Sequence, residues 1–163
     1  MADLLNFLQA SNNSMSVLQI VNINEKSIEY GLSLTNEDAK ELICTRDETL
    51  RSYGRVEVGS GVLGKIIDTF CDSRYIFKDN YKEVLSDLLD TFYYIKNESL
   101  DFISDDELID LMKELFEYKC HGSIELLQSR YLEETARCIR FGMDYKEALK
   151  EDIIYFDELE DEE

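Results

Sequence analysis

Hydrophobic residues recur along this chain every three or four positions, which is the spacing of one face of an α-helix. The series over 81–95 is the longest, and we expect it to form the central helix of the fold. Further series predict helices over 36–53, 62–70, 105–116 and 124–139. The pattern therefore indicates several amphipathic helices that bury their apolar faces against one another.

Capping residues separate these series. Thr35 is followed by two acids and is expected to cap a helix, because acidic side chains favour the first helical turn. Ser104 with Glu107 predicts a capping box, in which each residue bonds a backbone amide of the other. Residues 14–30 suit a helix or a strand, and we favour a helix that ends at Gly31.

The predicted fold class is mainly α, a compact bundle of five to six helices in a single domain over residues 1–142. We expect at most a minor pair of short strands near 55–58 and 75–77. Residues 143–163 are expected to form an acidic C-terminal tail that is partly disordered. Six of its last seven residues are acids, which repel one another.

The net charge of the chain limits the kinds of molecule that we expect it to bind. The chain has 36 acids and 17 bases, a formal net charge of −19. Nucleic acid is therefore not an expected partner, because each phosphate contact requires a local cation. No apolar run is long enough to cross a membrane. Four cysteines without C-x-x-C spacing, and an N-terminus unlike a signal peptide, favour reduced thiols and a cytoplasmic location.

A glycine-rich segment is the best candidate for a ligand-binding site in the sequence. Residues 59–64 satisfy G-x-G-x-x-G, and 59–65 match the first seven positions of a phosphate-binding loop. Ile66 stands where that loop requires Ser or Thr, and no buried strand precedes the segment. We therefore favour a structural connector. A phosphate or small ligand held at this segment is the alternative, and its candidate residues are Gly59, Ser60, Gly61, Gly64 and Lys65.

Catalysis is a third hypothesis. It would rest on His121, the single histidine, with Cys120 or another thiol as nucleophile. No local signature favours that pair, and the scattered cysteines lack the paired spacing of a zinc site. We expect no cofactor and no metal, and we favour a non-enzymatic protein.

The C-terminal tail contains four consecutive apolar residues between acids, a pattern typical of a peptide that docks in a partner's groove. These candidate partner-binding residues are Ile153, Ile154, Tyr155 and Phe156. Alternatively, the same residues fold back onto their own domain. The favoured function is a protein–protein interaction domain, adaptor or regulatory, that binds a protein with a basic or apolar surface or a second copy of the chain.

Several segments together resemble a known family. They are GLSLT at 31–35, EDA at 37–39, GRVEVG at 54–59, FCDS at 70–73, YI at 75–76, FYY at 92–94, KNE at 96–98 and SDDEL at 104–108. The chain resembles, over roughly residues 18–140, a family of uncharacterised bacterial proteins, mostly clostridial, classed as a domain of unknown function. The resemblance implies a bacterial cytoplasmic source and supplies no activity, ligand or site residues.

Overall fold

The computed structural model describes residues 22–57, apart from Asn24, and residues 61–150. Helices dominate this part of the chain, and no β-strand occurs in it. Residues 55–57 and 75–77 therefore do not pair as strands. The prediction of a mainly α-helical bundle is confirmed.

The elements follow one another with short connections. Helical backbone at 22–23 and 25–27 leads into a 3-10 turn, Ile28–Tyr30, which ends at Gly31. The helices are α1 (Asn36–Ser52), α2 (Gly61–Phe70), α3 (Tyr81–Glu98), α4 (Asp105–Tyr118), α5 (124–140) and the described residues of α6 (145–150). The boundary predicted between a domain and a tail at 142/143 stays a prediction.

The starts of α1 and α4 show how far the predicted caps form. Thr35 Oγ1 accepts from the Asp38 amide at 3.0 Å, and the Asp38 carboxylate accepts from the Thr35 amide at 3.3 Å. Ser104 Oγ likewise accepts from the Glu107 amide at 3.2 Å. The Glu107 carboxylate, however, accepts from the hydroxyl of Tyr145 at the start of α6. Half of the capping box predicted at Ser104 thus forms, while the Glu107 side chain makes a tertiary contact instead of returning to the Ser104 amide.

α3 is the central helix, as predicted, and packs against α1, α2 and α5, while α2 also packs against α4. Aromatic rings fill the interior: Phe70 meets Phe116 edge to face with centroids 5.5 Å apart, and Phe92 meets Tyr93 in the same way at 5.1 Å. Each such ring buries a large apolar area, which is the main favourable term in folding.

α5 contains a π-helical segment that the sequence pattern does not reveal. The helix begins with α geometry at Ile124–Leu126, widens over Leu127–Leu132 and returns to α geometry over Glu133–Arg140. Hydroxyl groups within and just after this segment bond backbone carbonyls, Ser129 to Glu125 at 2.6 Å and Thr135 to Tyr131 at 2.8 Å. Such bonds accompany local distortion of helices.

Candidate protein-binding surface

The turn between α3 and α4 places two hydrophobic side chains on the surface. Its residues Leu100 and Asp101 have φ values of 56° and 61°. This left-handed conformation costs a non-glycine residue about 1–2 kcal/mol, because Cβ approaches the following carbonyl oxygen. The turn leaves Leu100 56 % and Phe102 71 % exposed.

Ion pairs hold this strained turn in place. Lys96 is only 7 % exposed, and its Nζ donates to the Ile103 carbonyl at 2.6 Å and lies 2.9 Å from the Asp105 carboxylate. Arg55 donates to both carboxylate oxygens of Asp101, at 2.7 and 2.8 Å. A buried ammonium is costly without its partners, so the Lys96 side chain favours the turn conformation that keeps those partners in reach. Contacts with residues outside the turn thus maintain its strained backbone.

The turn between α5 and α6 presents two more hydrophobic side chains. The Gly142 amide donates to the Ile139 carbonyl at 3.1 Å, and the Met143 amide donates to the Cys138 carbonyl at 2.8 Å. With Gly142 at φ 72°, this is a Schellman motif. Phe141 and Met143, on either side of the glycine, are 69 % and 58 % exposed.

The two turns adjoin. Arg140 NH1 lies 2.9 Å from the Glu98 carboxylate, which ties the end of α5 to the end of α3. Phe102 and Met143 line one open groove of about 620 Å³. We use the name apolar end for Leu100, Phe102, Phe141 and Met143. Each of its four side chains is more than half exposed, and ion pairs from Arg55 and Lys96 hold Asp101 in the first of the two turns.

A second groove, of about 730 Å³, runs between α4 and α6. We call it the α4 groove. Three leucines, Leu111, Leu115 and Leu149, form its apolar lining. The wall formed by α4 carries the acids Glu107, Asp110 and Glu114. The wall formed by α6 carries Tyr145, Lys146 and Lys150. Burial, and then the hydrogen bond to Glu107, raise the pKa of Tyr145 above its ordinary value. Glu107, Tyr145 and Lys146 line both grooves, so the α4 groove continues into the apolar end.

Of the five residues predicted for a phosphate ligand, the structure describes Gly61, Gly64 and Lys65. Gly61 is the first residue of α2, and Gly64 lies within its first turns. Lys65 Nζ lies 2.8 Å from Asp106 on α4, and this hydrogen bond raises the pKa of Lys65. Residues 59–60 lie outside the described part of the chain.

A carboxylate of the chain itself occupies the start of α2. Glu57 Oε1 accepts from the Val62 amide at 3.2 Å, and a Cβ built on Gly61 would lie 3.1 Å from the same oxygen. Glu57 Oε2 accepts from the buried Tyr93 hydroxyl. Burial, followed by the contact with Glu57, raises the pKa of Tyr93. The N-terminus of a helix favours an anion, and at α2 the carboxylate of Glu57 takes that place.

The surroundings of His121 and Cys120 do not favour a reactive thiol. His121 Nδ1 lies 3.1 Å from the Tyr75 hydroxyl. Cys120 is buried, which raises the pKa of its thiol to about 12. A reactive cysteine needs a lowered pKa, since the thiolate is the nucleophile. No cluster of three or more His, Cys, Asp or Glu side chains that suits a metal ion occurs among the described residues.

The four tail residues proposed to bind a partner, 153–156, lie outside the described part of the chain. Sequence reasoning did not identify the apolar end. A signal for it does exist, because Leu100, Phe102, Phe141 and Met143 are large apolar residues in segments rich in turn and polar residues. Such residues fall outside the helical periodicity and are assigned to neither core nor site.

No helix in the described part of the chain is long and apolar enough to span a bilayer. No curated protein and no solved structure matches the chain. A family model, described as a family of unknown function (DUF6323), matches residues 19–145. This match confirms the resemblance to a family of unknown function, and the chain belongs to that family.

Proposed function

We propose that the chain is a non-enzymatic protein–protein interaction domain of adaptor or regulatory type, which contacts its partner through the apolar end. The observation that carries the proposal is the clustering of exposed apolar side chains. Ten large hydrophobic side chains are exposed in the described residues, and four of them lie in the two adjoining turns. Contiguous exposed apolar surface marks sites of protein contact more often than scattered single residues do.

Backbone strain supports the same assignment. Two successive left-handed residues, Leu100 and Asp101, cost free energy and persist because Lys96 and Arg55 hold the turn. Strain maintained by surrounding contacts is typical of functional segments. The strained residues directly precede Phe102, which is 71 % exposed, and a partner that meets an ordered turn loses less conformational entropy on binding.

Charge favours a partner with basic residues around an apolar anchor. Two copies of a chain with a net charge of −19 repel one another, so a homodimer needs compensating contacts. The same charge disfavours nucleic acid. The proposal places the chain in the cytoplasm, where its four cysteines, none of which forms a disulfide, stay reduced. The tail residues at 153–156 and the phosphate ligand at 59–65 remain separate predictions.

Site-specific photo-crosslinking in cells of the source organism tests the proposal. We expect p-benzoyl-phenylalanine in place of Phe102 to give one discrete heterologous adduct. The same group in place of Phe77, which is 62 % exposed on another part of the chain, is the matched control and should give none.

Three results would contradict the proposal. Adducts at both positions would mean nonspecific contact, and adducts at neither would mean that the apolar end has no partner. An adduct with the mass of two copies of this chain would instead assign the surface to a homodimer.

A further inference from the structure

We propose that the partner presents an amphipathic helix, with an apolar stripe and a basic flank, which lies in the α4 groove and extends into the apolar end. This inference rests on the proposed function and adds the class of partner. Two grooves that share three lining residues adjoin and form one trough, whose lining follows α4 from Glu107 to Leu115.

The lining of the trough suits the apolar stripe of such a helix. Leu111, which is half-buried, lines its α4–α6 section together with Leu115 and Leu149, which are 3 % and 7 % exposed and belong to the core. Phe102 and Met143 line the section at the apolar end. Recognition of this kind uses apolar side chains at positions i, i+3, i+4 and i+7 of the bound helix, which enter a hydrophobic groove in succession.

The α4 wall supplies the charge that selects a basic flank. Glu107, Asp110 and Glu114 follow one another at intervals of three and four residues and therefore share one face of α4. Asp110 and Glu114 form no ion pair within the described residues. A partner's lysine or arginine would pair with them at little cost in desolvation, because both are exposed.

The two walls differ in charge, which fixes which flank of the helix is basic. Lys146 and Lys150 stand on the α6 wall, opposite the acids of α4. The flank of the partner helix that faces α6 is therefore neutral or acidic, while the flank that faces α4 is basic. A second copy of this acidic chain is a poorer match for the α4 wall.

The experiment measures binding of a labelled designed peptide to the full chain by fluorescence anisotropy. The peptide has about 18 residues, with leucines on one helical stripe, lysines on one flank and glutamines on the other. Isolated helices of this length are marginal in water, so docking should also increase its helical circular dichroism signal. A peptide of the same composition, permuted to remove the stripe, is the control and should bind at least tenfold more weakly.

Charge reversal of the α4 wall is the decisive variant. We expect Asp110→Lys with Glu114→Lys to weaken binding roughly tenfold, because two attractive rim contacts become repulsive. The matched control is Glu29→Lys with Glu48→Lys, which makes the same change in net charge at exposed residues away from the groove. That control should keep most of the affinity.

Three outcomes would overturn the proposal. Equal loss in the two double variants would mean general attraction to an acidic protein, and equal binding of the permuted peptide would exclude a docked helix. If the peptide binds only after the four residues at 153–156 are changed to serine, the groove belongs to the chain's own tail. A specific crosslink at Phe102 without peptide binding would reject this partner class and leave the proposed function standing.

Discussion

At the scale of single residues, Gly122 is under two constraints at once. Its φ of 82° is a conformation that glycine adopts readily, and a Cβ built on it would lie 2.6 Å from Cβ of Tyr75. The Tyr75 ring in turn packs edge to face on Phe116, with centroids 6.2 Å apart. The absence of a side chain at Gly122 thus allows the segment between α2 and α3 to lie against the end of α4.

We expect Gly122→Ala to lower the free energy of unfolding by about 2–4 kcal/mol, from left-handed strain and from overpacking against Tyr75. Gly54→Ala is the matched control, because Gly54 has φ 68° but no atom within 4 Å of the added Cβ. It should lose only about 1–2 kcal/mol. Urea unfolding of both variants measures the difference, and equal losses would show that the Tyr75 contact adjusts without cost.

At the scale of elements, the start of α2 is stabilised by a side chain from the preceding connector. Glu57 bonds the Val62 amide with one oxygen and the Tyr93 hydroxyl with the other, and so links the N-terminus of α2 to the central helix. A carboxylate at this position interacts favourably with the helix dipole. The glycine at 61 brings the backbone close to it.

We expect Glu57→Gln to lower the free energy of unfolding by about 1 kcal/mol, because it removes the charge and keeps the shape. Glu48→Gln on exposed α1 surface is the control and should change it by less than about 0.5 kcal/mol. Inorganic phosphate should not raise the melting temperature of the unmodified chain. A clear rise would instead support a ligand at the glycine-rich segment.

Helices α1 to α5 were predictable because their causes are local. Apolar spacing marks the buried face, and Thr35, Gly54 and Gly142 mark ends that depend on a few neighbouring atoms. The left-handed turn at Leu100 and Asp101 has distant causes, since Asp adopts this conformation only occasionally and Leu rarely does.

The candidate surface was less predictable for the same reason. Periodicity places residues on a helix face, but it does not bring the turn at 99–104 beside the turn at 141–144. The π-helical segment of α5 and the Glu107–Tyr145 contact also depend on how the helices pack. Only a pattern of large apolar residues within turns would have pointed to the apolar end.

At the scale of the whole molecule, the balance of charge opposes compactness. The chain has 36 acids and 17 bases, so pairing every base still leaves 19 acids without an opposite charge. Folding brings these carboxylates closer together than they are in the unfolded chain. The apolar core around α3 has to outweigh that repulsion.

We therefore expect the melting temperature to rise by several degrees between about 0.02 and 0.5 M KCl, since salt screens the net repulsion. NaCl at equal ionic strength should give the same rise, which separates screening from specific ion binding. A fall with added salt would mean that attraction within the ion pairs, such as Arg55 with Asp101, outweighs the repulsion.

Asp101 belongs to two parts of the molecule. It is one of the left-handed residues beside Phe102, and its carboxylate also accepts two hydrogen bonds from Arg55 in the connector before α2. These hydrogen bonds link the apolar end directly to the start of that connector. We therefore expect a partner bound at the apolar end to alter the hydrogen-exchange protection of the connector, which lies more than forty residues earlier in the chain.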